Sequence, residues 1–260
     1  MSTFGSYQIF MNCKLCQNNP ASKIKSHYIS KFLGKDLFND GYTLQIKKDF
    51  TRRKLNDIPK DQFIFCNGCE EKLSLIEGIV SRDLSNIDKK ENFNNLFSIK
   101  YEFGNQVLSL NRNSKIFNLF VISLIWRASI SNHLLFEKFS LPTVYENQLR
   151  EILINFLCSR KDEYDFIPSL DFDFKYVMIK PGYRNQNIRG HFSTASTSKN
   201  IHMLFLVNFY ICLYLGEELI PLTMYNYCNS KLENFVIILS ENDKWKNLNK
   251  IALDQIFNKK

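Results

Sequence analysis

Three short stretches decide the reading of this chain: Cys13-Lys14-Leu15-Cys16, Ser26-His27-Tyr28-Ile29 and Cys66-Asn67-Gly68-Cys69-Glu70. A CxxC turn sets two sulfurs about 3.5–4 Å apart, which is one edge of a thiolate tetrahedron around zinc. Two such turns supply four soft donors, so Cys13, Cys16, Cys66 and Cys69 are read as the ligands of a structural zinc. The turn-forming residues Gln17-Asn18-Asn19-Pro20 then let the chain reverse after the first pair. After the second pair a helix is expected. Asn67 followed by Glu70 resembles a capping box, and Leu73, Ile76, Ile79 and Val80 supply one apolar face.

Between the pairs the chain is polar and basic. Residues 62–65 read as a strand leading into Cys66, His27 lies in or at the end of a short strand, and 42–46 belong to a hairpin or loop. Residues 1–72 carry 12 basic and 7 acidic side chains, within a whole chain of net charge +8. That surplus fits an anionic partner, nucleic acid or membrane surface, without choosing between them.

Seven cysteines, an odd number with four in CxxC pairs, point to an intracellular metal-binding chain rather than a disulfide framework. Cys158, Cys212 and Cys228 lie in apolar segments and are expected in the core. No basic region followed by an apolar run opens the sequence, and the apolar stretches 116–130 and 203–215 are too short to span a bilayer. A cytoplasmic location without membrane contact is therefore expected.

Downstream of about residue 92 the pattern changes. A strand pair is expected around Gly104-Asn105, and Ser114 can cap a helix over 115–137 that is apolar nearly all round, hence buried. In that helix Arg127 requires an acidic or carbonyl partner. Thr143 with Glu146 reads as a capping box for a helix whose inner face is Leu149, Ile152, Leu153, Phe156 and Leu157. Alternation over 172–178, and the β-leaning runs 203–215 and 235–239, read as strands before a last helix beginning near Trp245. Residues 181–202 read as a polar loop, and His133, His191 and His202 as structural histidines. The expected fold class is α+β: a small zinc-stabilised finger module over 1–90, followed by a larger mixed body over 91–260 whose role is open.

The order CxxC, histidine, CxxC, helix resembles the HNH, or ββα-metal, endonuclease family, and in particular the four-cysteine finger of phage Holliday-junction endonucleases. It is also similar to bacterial HNH-like proteins reading CxxC…SHII…CxxCE with a later Leu-Trp-Arg-Ala-Ser-like stretch. Here Leu124–Ser129 reads Leu-Ile-Trp-Arg-Ala-Ser. The finger likeness covers about 13–85.

This resemblance implies phosphodiester hydrolysis with His27 as general base. Glu70 stands where the family binds a catalytic Mg²⁺ or Mn²⁺, and Lys23, Lys25, Lys31, Arg52, Arg53 and Lys54 are cast as phosphate contacts. It further implies a nucleic-acid partner, DNA first, and a role in phage defence or as a toxin-like effector restrained by a protein such as an ATPase.

One departure stands out. Ser26 occupies a position where the family often has Asp, and a hydroxyl is a poor Mg²⁺ ligand. Glu70 can instead be an acid that stabilises the first helical turn, His27 can simply pack beside the zinc turns, and the basic residues can be a solvated face. The competing reading is thus a zinc-stabilised binding protein without catalysis.

Overall fold

The structure, a computed structural model, describes residues 11–38, 42–46, 51–58, 60–85, 87, 97–110, 114–137, 139–168, 170, 172–182, 191–229 and 234–257. Short polar segments come first. β1 (Ser26–His27) pairs antiparallel with β4 (Lys60–Asp61), and between them lie a 3₁₀ helix, Lys31–Phe38, and the hairpin β2 (Thr43–Ile46)/β3 (Arg52–Leu55). Residues 62–65 are not the strand expected from their apolar character. They turn instead, with Phe63 at φ 53°, because the chain must swing round to bring Cys66 beside the first cysteine turn.

α1 (Asn67–Ser85) follows at once and buries Leu73, Ile76, Ile79, Val80 and Leu84 on one face. β5 (Phe97–Glu102) and β6 (Asn105–Leu110) make the expected hairpin. Its two-residue turn has Phe103 and Gly104 both at positive φ, 46° and 82°, the geometry that matches strand twist. α2 (Ser114–Ser129) is buried at every residue from 117 to 128. It ends earlier than the apolar run suggested, and a separate 3₁₀ turn covers Leu134–Phe136.

α3 (Thr143–Phe156) begins behind Pro142 and has no side-chain cap. The anticipated capping box fails because Thr143 is already the first helical residue, and the Glu146 carboxylate accepts from the Ser129 hydroxyl at 3.2 Å. The remaining strands are β7 (Lys175–Pro181), β8 (Phe192–Ser198), β9 (Ile201–Leu206), β10 (Phe209–Tyr214) and β11 (Val236–Ser240). The single turn α4 (Leu222–Tyr225) precedes β11, and α5 (Asn242–Phe257) ends the described chain.

Seven strands form one sheet in the order β5-β6-β11-β7-β10-β9-β8, antiparallel except where β11 runs parallel to β7. Ile211 and Leu213 of β10 face the core shared with α2, whereas Tyr210, Cys212 and Tyr214 face a second core around Trp245 of α5. The sheet is thus covered on both sides, and for that reason β7 and β10 are buried along nearly their whole length rather than alternating with water. Part of the expected polar loop at 181–202 is edge strand β8; Arg184 and Arg189 lie outside the described residues, as does the proposed boundary at residue 90.

α2 joins the two parts of the chain. Phe117 packs on Phe235 at 5.0 Å, Phe120 on Phe32 at 5.7 Å, and Trp126, on the face opposite Phe117, on Phe65 at 5.9 Å. The cysteine region and the sheet therefore share one hydrophobic core. Gly34 makes a close approach that holds the Lys31–Phe38 helix in place: a β-carbon there would lie 2.7 Å from the Phe192 ring and 2.8 Å from Ile58.

Candidate metal centre and histidine site

Backbone hydrogen bonds fold the two cysteine turns against each other. Gln17 N–H donates to Cys13 C=O and Cys13 N–H to Asn19 C=O, closing the first turn, with Gln17 in the left-handed region at φ 59°. Lys14 N–H donates to Ile64 C=O, and Lys23 N–H to Phe65 C=O, lashing that turn to the approach of the second pair. The result brings the ligand atoms of Cys13, Cys16, Cys66 and Cys69 within 4.8 Å of one another, with Cys16 Sγ 3.8 Å from Cys66 Sγ.

Zn–S bonds of about 2.3 Å in a tetrahedron require sulfur pairs about 3.8 Å apart. The four cysteines fit a zinc ion, and the cluster can chelate a metal. What surrounds it is two turns, a two-residue strand pair and one helix, a metal-binding finger of a general kind. The electrostatics agree. The Cys13 thiol is held down at about 4 by the Cys69 thiol that donates to it, against the upward push of burial, with backbone groups of Cys66, Cys16 and Leu15 adding to the downward pull. Cys69, as that donor in a crowded and buried group, is pushed up. Metal binding would take the sulfurs as thiolates and release their protons.

His27 sits on β1, paired in register with Lys60. Its backbone oxygen accepts from Arg127 Nη1 at 3.0 Å, and the same nitrogen lies 2.6 Å from Glu77 Oε1. Arg127 Nε donates to Ser123 C=O at 3.2 Å. Arg127 thus has both the acidic and the carbonyl partners its burial required, and it ties α2, α1 and β1 together at His27. A guanidinium only 3% exposed pays for its desolvation only through such partners.

The His27 Nε2 atom is buried with no hydrogen-bond partner among the described residues; Asp57 Oδ1 lies 3.8 Å away, and Asp57 is itself ion-paired with Lys60. Burial lowers the His27 pKa, with the Lys60 ammonium acting in the same direction and Asp57 and Glu77 opposing. The imidazole is therefore neutral at pH 7. Asp57 and Lys60 escaped the sequence reading. They lie in a polar stretch where any acid or base passes for surface charge, and only the β1–β4 register brings them to His27.

Glu70 is half-buried in the first turn of α1. Burial raises its pKa, while the Ser26 hydroxyl beside it and the charge of Arg127 lower it. Ser26 is fully buried and faces that carboxyl rather than water. Glu70 and Glu77 stand two turns apart on one helix face, as their spacing implies. Among the described residues the four cysteines are the only group of three or more His, Cys, Asp or Glu side chains close enough to share an ion.

The basic residues divide. Lys23, Lys25, Lys31, Arg52, Arg53 and Lys54 are all exposed. Lys31 lies on the 3₁₀ helix bordering an open cleft of about 840 Å³, which Asp57 and Glu77 also line. Arg52, Arg53 and Lys54 form the outer strand of the β2–β3 hairpin, with Lys54 Nζ 4.4 Å from the Tyr42 ring centroid.

The other histidines have structural partners. His133 caps the 3₁₀ turn by accepting from Leu135 N–H, and His202 bonds Ser196 Oγ and Lys199 C=O, each at 3.0 Å. His191 stacks on Phe205, and burial holds it down at about 4. Cys212 and Cys228 are buried as expected, while Cys158 is half-buried. No described helix is long and apolar enough to cross a membrane. Compared with known protein families, curated proteins and solved structures, the chain matches none.

Proposed function

We propose that the chain is a metal-dependent endonuclease of the HNH type, hydrolysing nucleic-acid phosphodiesters with neutral His27 as general base. On this reading β1, β4 and α1 are the zinc-stabilised ββα finger, residues 1–90 the nuclease module, and 91–260 the body carrying substrate, partner or dimer contacts. The observation that carries it is a half-buried imidazole anchored through its backbone beside an acid. Arg127 grips its carbonyl, and Asp57 faces its Nε2. A half-buried imidazole kept unprotonated near a carboxylate that can stabilise its protonated form suits general-base chemistry.

With Nε2 turned to Asp57, Nδ1 is the nitrogen that takes a proton from water, and the hydroxide so formed attacks phosphorus as the ester oxygen departs. Asp57 stabilises the imidazolium while it lasts. A depressed pKa keeps the base unprotonated at neutral pH. A divalent ion, Mg²⁺ or Mn²⁺, would supply neutralisation of charge on the phosphate when bound. Glu70 is the carboxylate suited to hold it, since Glu77 is taken by Arg127. One protein carboxylate with phosphate oxygens and water is a common Mg²⁺ environment. The exposed Lys23, Lys25, Lys31, Arg52, Arg53 and Lys54 would hold flanking phosphates without reading sequence. DNA as substrate, a restraining ATPase or similar partner, and a cytoplasmic place in phage defence belong to the same proposal and rest on the family likeness.

A second reading, a zinc-stabilised binding protein without catalysis, is favoured by one observation. Two of the three acids near His27 already have cations, Asp57 with Lys60 and Glu77 with Arg127. The test is to incubate the purified zinc-loaded chain with plasmid and single-stranded oligonucleotide in Mg²⁺ or Mn²⁺. Cleavage is expected. Intact substrate in every condition, with zinc bound and the nucleic acid retained, selects the binding protein.

A further inference from the structure

The cleft of about 840 Å³ beside the histidine site is walled by the Lys31–Phe38 helix on one side and the mid-section of α1 on the other. Among the described residues its lining holds four charged side chains: Lys31, Lys35, Asp57 and Glu77. The two acids are neutralised by Lys60 and Arg127. Neither Lys31 nor Lys35 has an acidic partner among the described residues, so the described lining carries net positive charge. Beside those lysines two aromatic rings, Phe32 and Phe38, line the wall, each only partly buried. Lysines alone would suit any polyanion. Lysines interleaved with aromatic rings in a concave site suit phosphates joined to bases that are free to stack.

α1 contributes a second, independent observation. Gly78 is exposed in the middle of the helix and lines the cleft, and a β-carbon there would meet no atom within 4 Å. A glycine in a helix interior destabilises it by roughly 1 kcal/mol relative to alanine, and no packing among the described residues calls for it. Its effect is to leave the cleft wall bare, so that a ligand can approach the backbone.

We infer that this cleft binds single-stranded nucleic acid, with unstacked bases against Phe32 and Phe38 and phosphates on Lys31 and Lys35. The inference deepens the nuclease reading by naming its substrate class, and Asp57 connects the two by lining the cleft and facing His27. In a duplex the base faces are stacked on one another and unavailable to such rings. A partly open or single strand offers them.

The experiment is fluorescence anisotropy with a labelled single-stranded oligonucleotide and its duplex, using the zinc-loaded full chain without added divalent ion, so that binding is read apart from cleavage. The single strand is expected to bind more tightly than the duplex. Phe38→Leu should weaken it by about 5- to 150-fold, the range of one lost stacking contact. Lys35→Gln should weaken it and reduce the slope of log affinity against log salt by about 0.7. Gly78→Ala should weaken it while leaving thermal stability equal or higher, an outcome that general unfolding cannot imitate. Equal affinity for duplex and single strand, no binding of either, or unchanged affinity in Lys35→Gln and Gly78→Ala, overturns the inference. Tight, Lys35- and Gly78-dependent binding by a chain that cuts nothing would sink the nuclease reading and leave the cleft standing.

Discussion

The two parts of this chain hold themselves together by different means. In the sheet, β7 and β10 are buried on both faces and bracketed by α2 and α5. In the cysteine region the strands are two to four residues long, and the β3 residues Arg52, Arg53 and Lys54 are exposed. Such strands cannot bury enough apolar surface to offset their ordering entropy. Their order comes from the four sulfurs, the buried Arg127 and the apolar face of α1, which packs into the core shared with the sheet. The candidate histidine lies among these short strands, half-buried beside charged groups at the border of the shared core.

The largest effect that would sharpen this contrast is metal loss. Structural zinc contributes about 10–16 kcal/mol in isolated fingers. Cys66→Ser, or a strong chelator, should therefore abolish hydrogen-exchange protection over 11–38 and 60–85 while β7 and β10 still exchange slowly. Equal loss in both parts would break the distinction.

Next comes the arginine. Arg127→Ala strands Glu77 and should destabilise the fold by about 3–5 kcal/mol in denaturant titration. The double variant Arg127→Met/Glu77→Leu should recover most of that stability, since buried ion pairs are often replaceable by apolar groups. Cleavage should stay depressed, because the His27 carbonyl has lost its donor. Recovered activity in the double variant would show that Arg127 serves stability alone.

Acid should separate the parts by a different route. Burial lowers the pKa of all four histidines, His191 to about 4. Between those folded values and the ordinary 6.5 the unfolded chain binds more protons, so stability is full above pH 6.5 and falls as pH drops through the window. The cleavage rate should fall on acidification with a midpoint below the ordinary histidine value of 6.5, as His27 becomes protonated. In His191→Asn the stability profile should flatten while the acid limb of the rate stays in place. The smallest effect is expected from Asp57→Asn. With a carboxylate 43% exposed and 3.8 Å from the ring, a fall of a few-fold to about tenfold in rate is anticipated.

How much of this was legible in the sequence follows from range. CxxC spacing fixes sulfur geometry locally, so the four ligands are visible without a fold. The α1 face, the buried α2 and the Gly104 hairpin are periodicity and turn chemistry, also local. Arg127 announced its need of a partner, though not that the partners would be Glu77 and the His27 carbonyl. Asp57, Lys35 and Gly78 were invisible because their meaning depends on what the β1–β4 register and the Lys31–Phe38 helix set opposite them. Local rules also misled. Apolar residues 62–65 turn to serve the metal, and Thr143 yields its capping role to Pro142.

The most direct test of the central claim is nucleic-acid cleavage in Mg²⁺ or Mn²⁺ by wild type beside His27→Ala, each first shown to carry about one zinc per chain. The account predicts that the variant keeps its zinc and its fold and loses about 10²–10⁴-fold in rate. A zinc-loaded, folded His27→Ala that cuts as fast as wild type would contradict it.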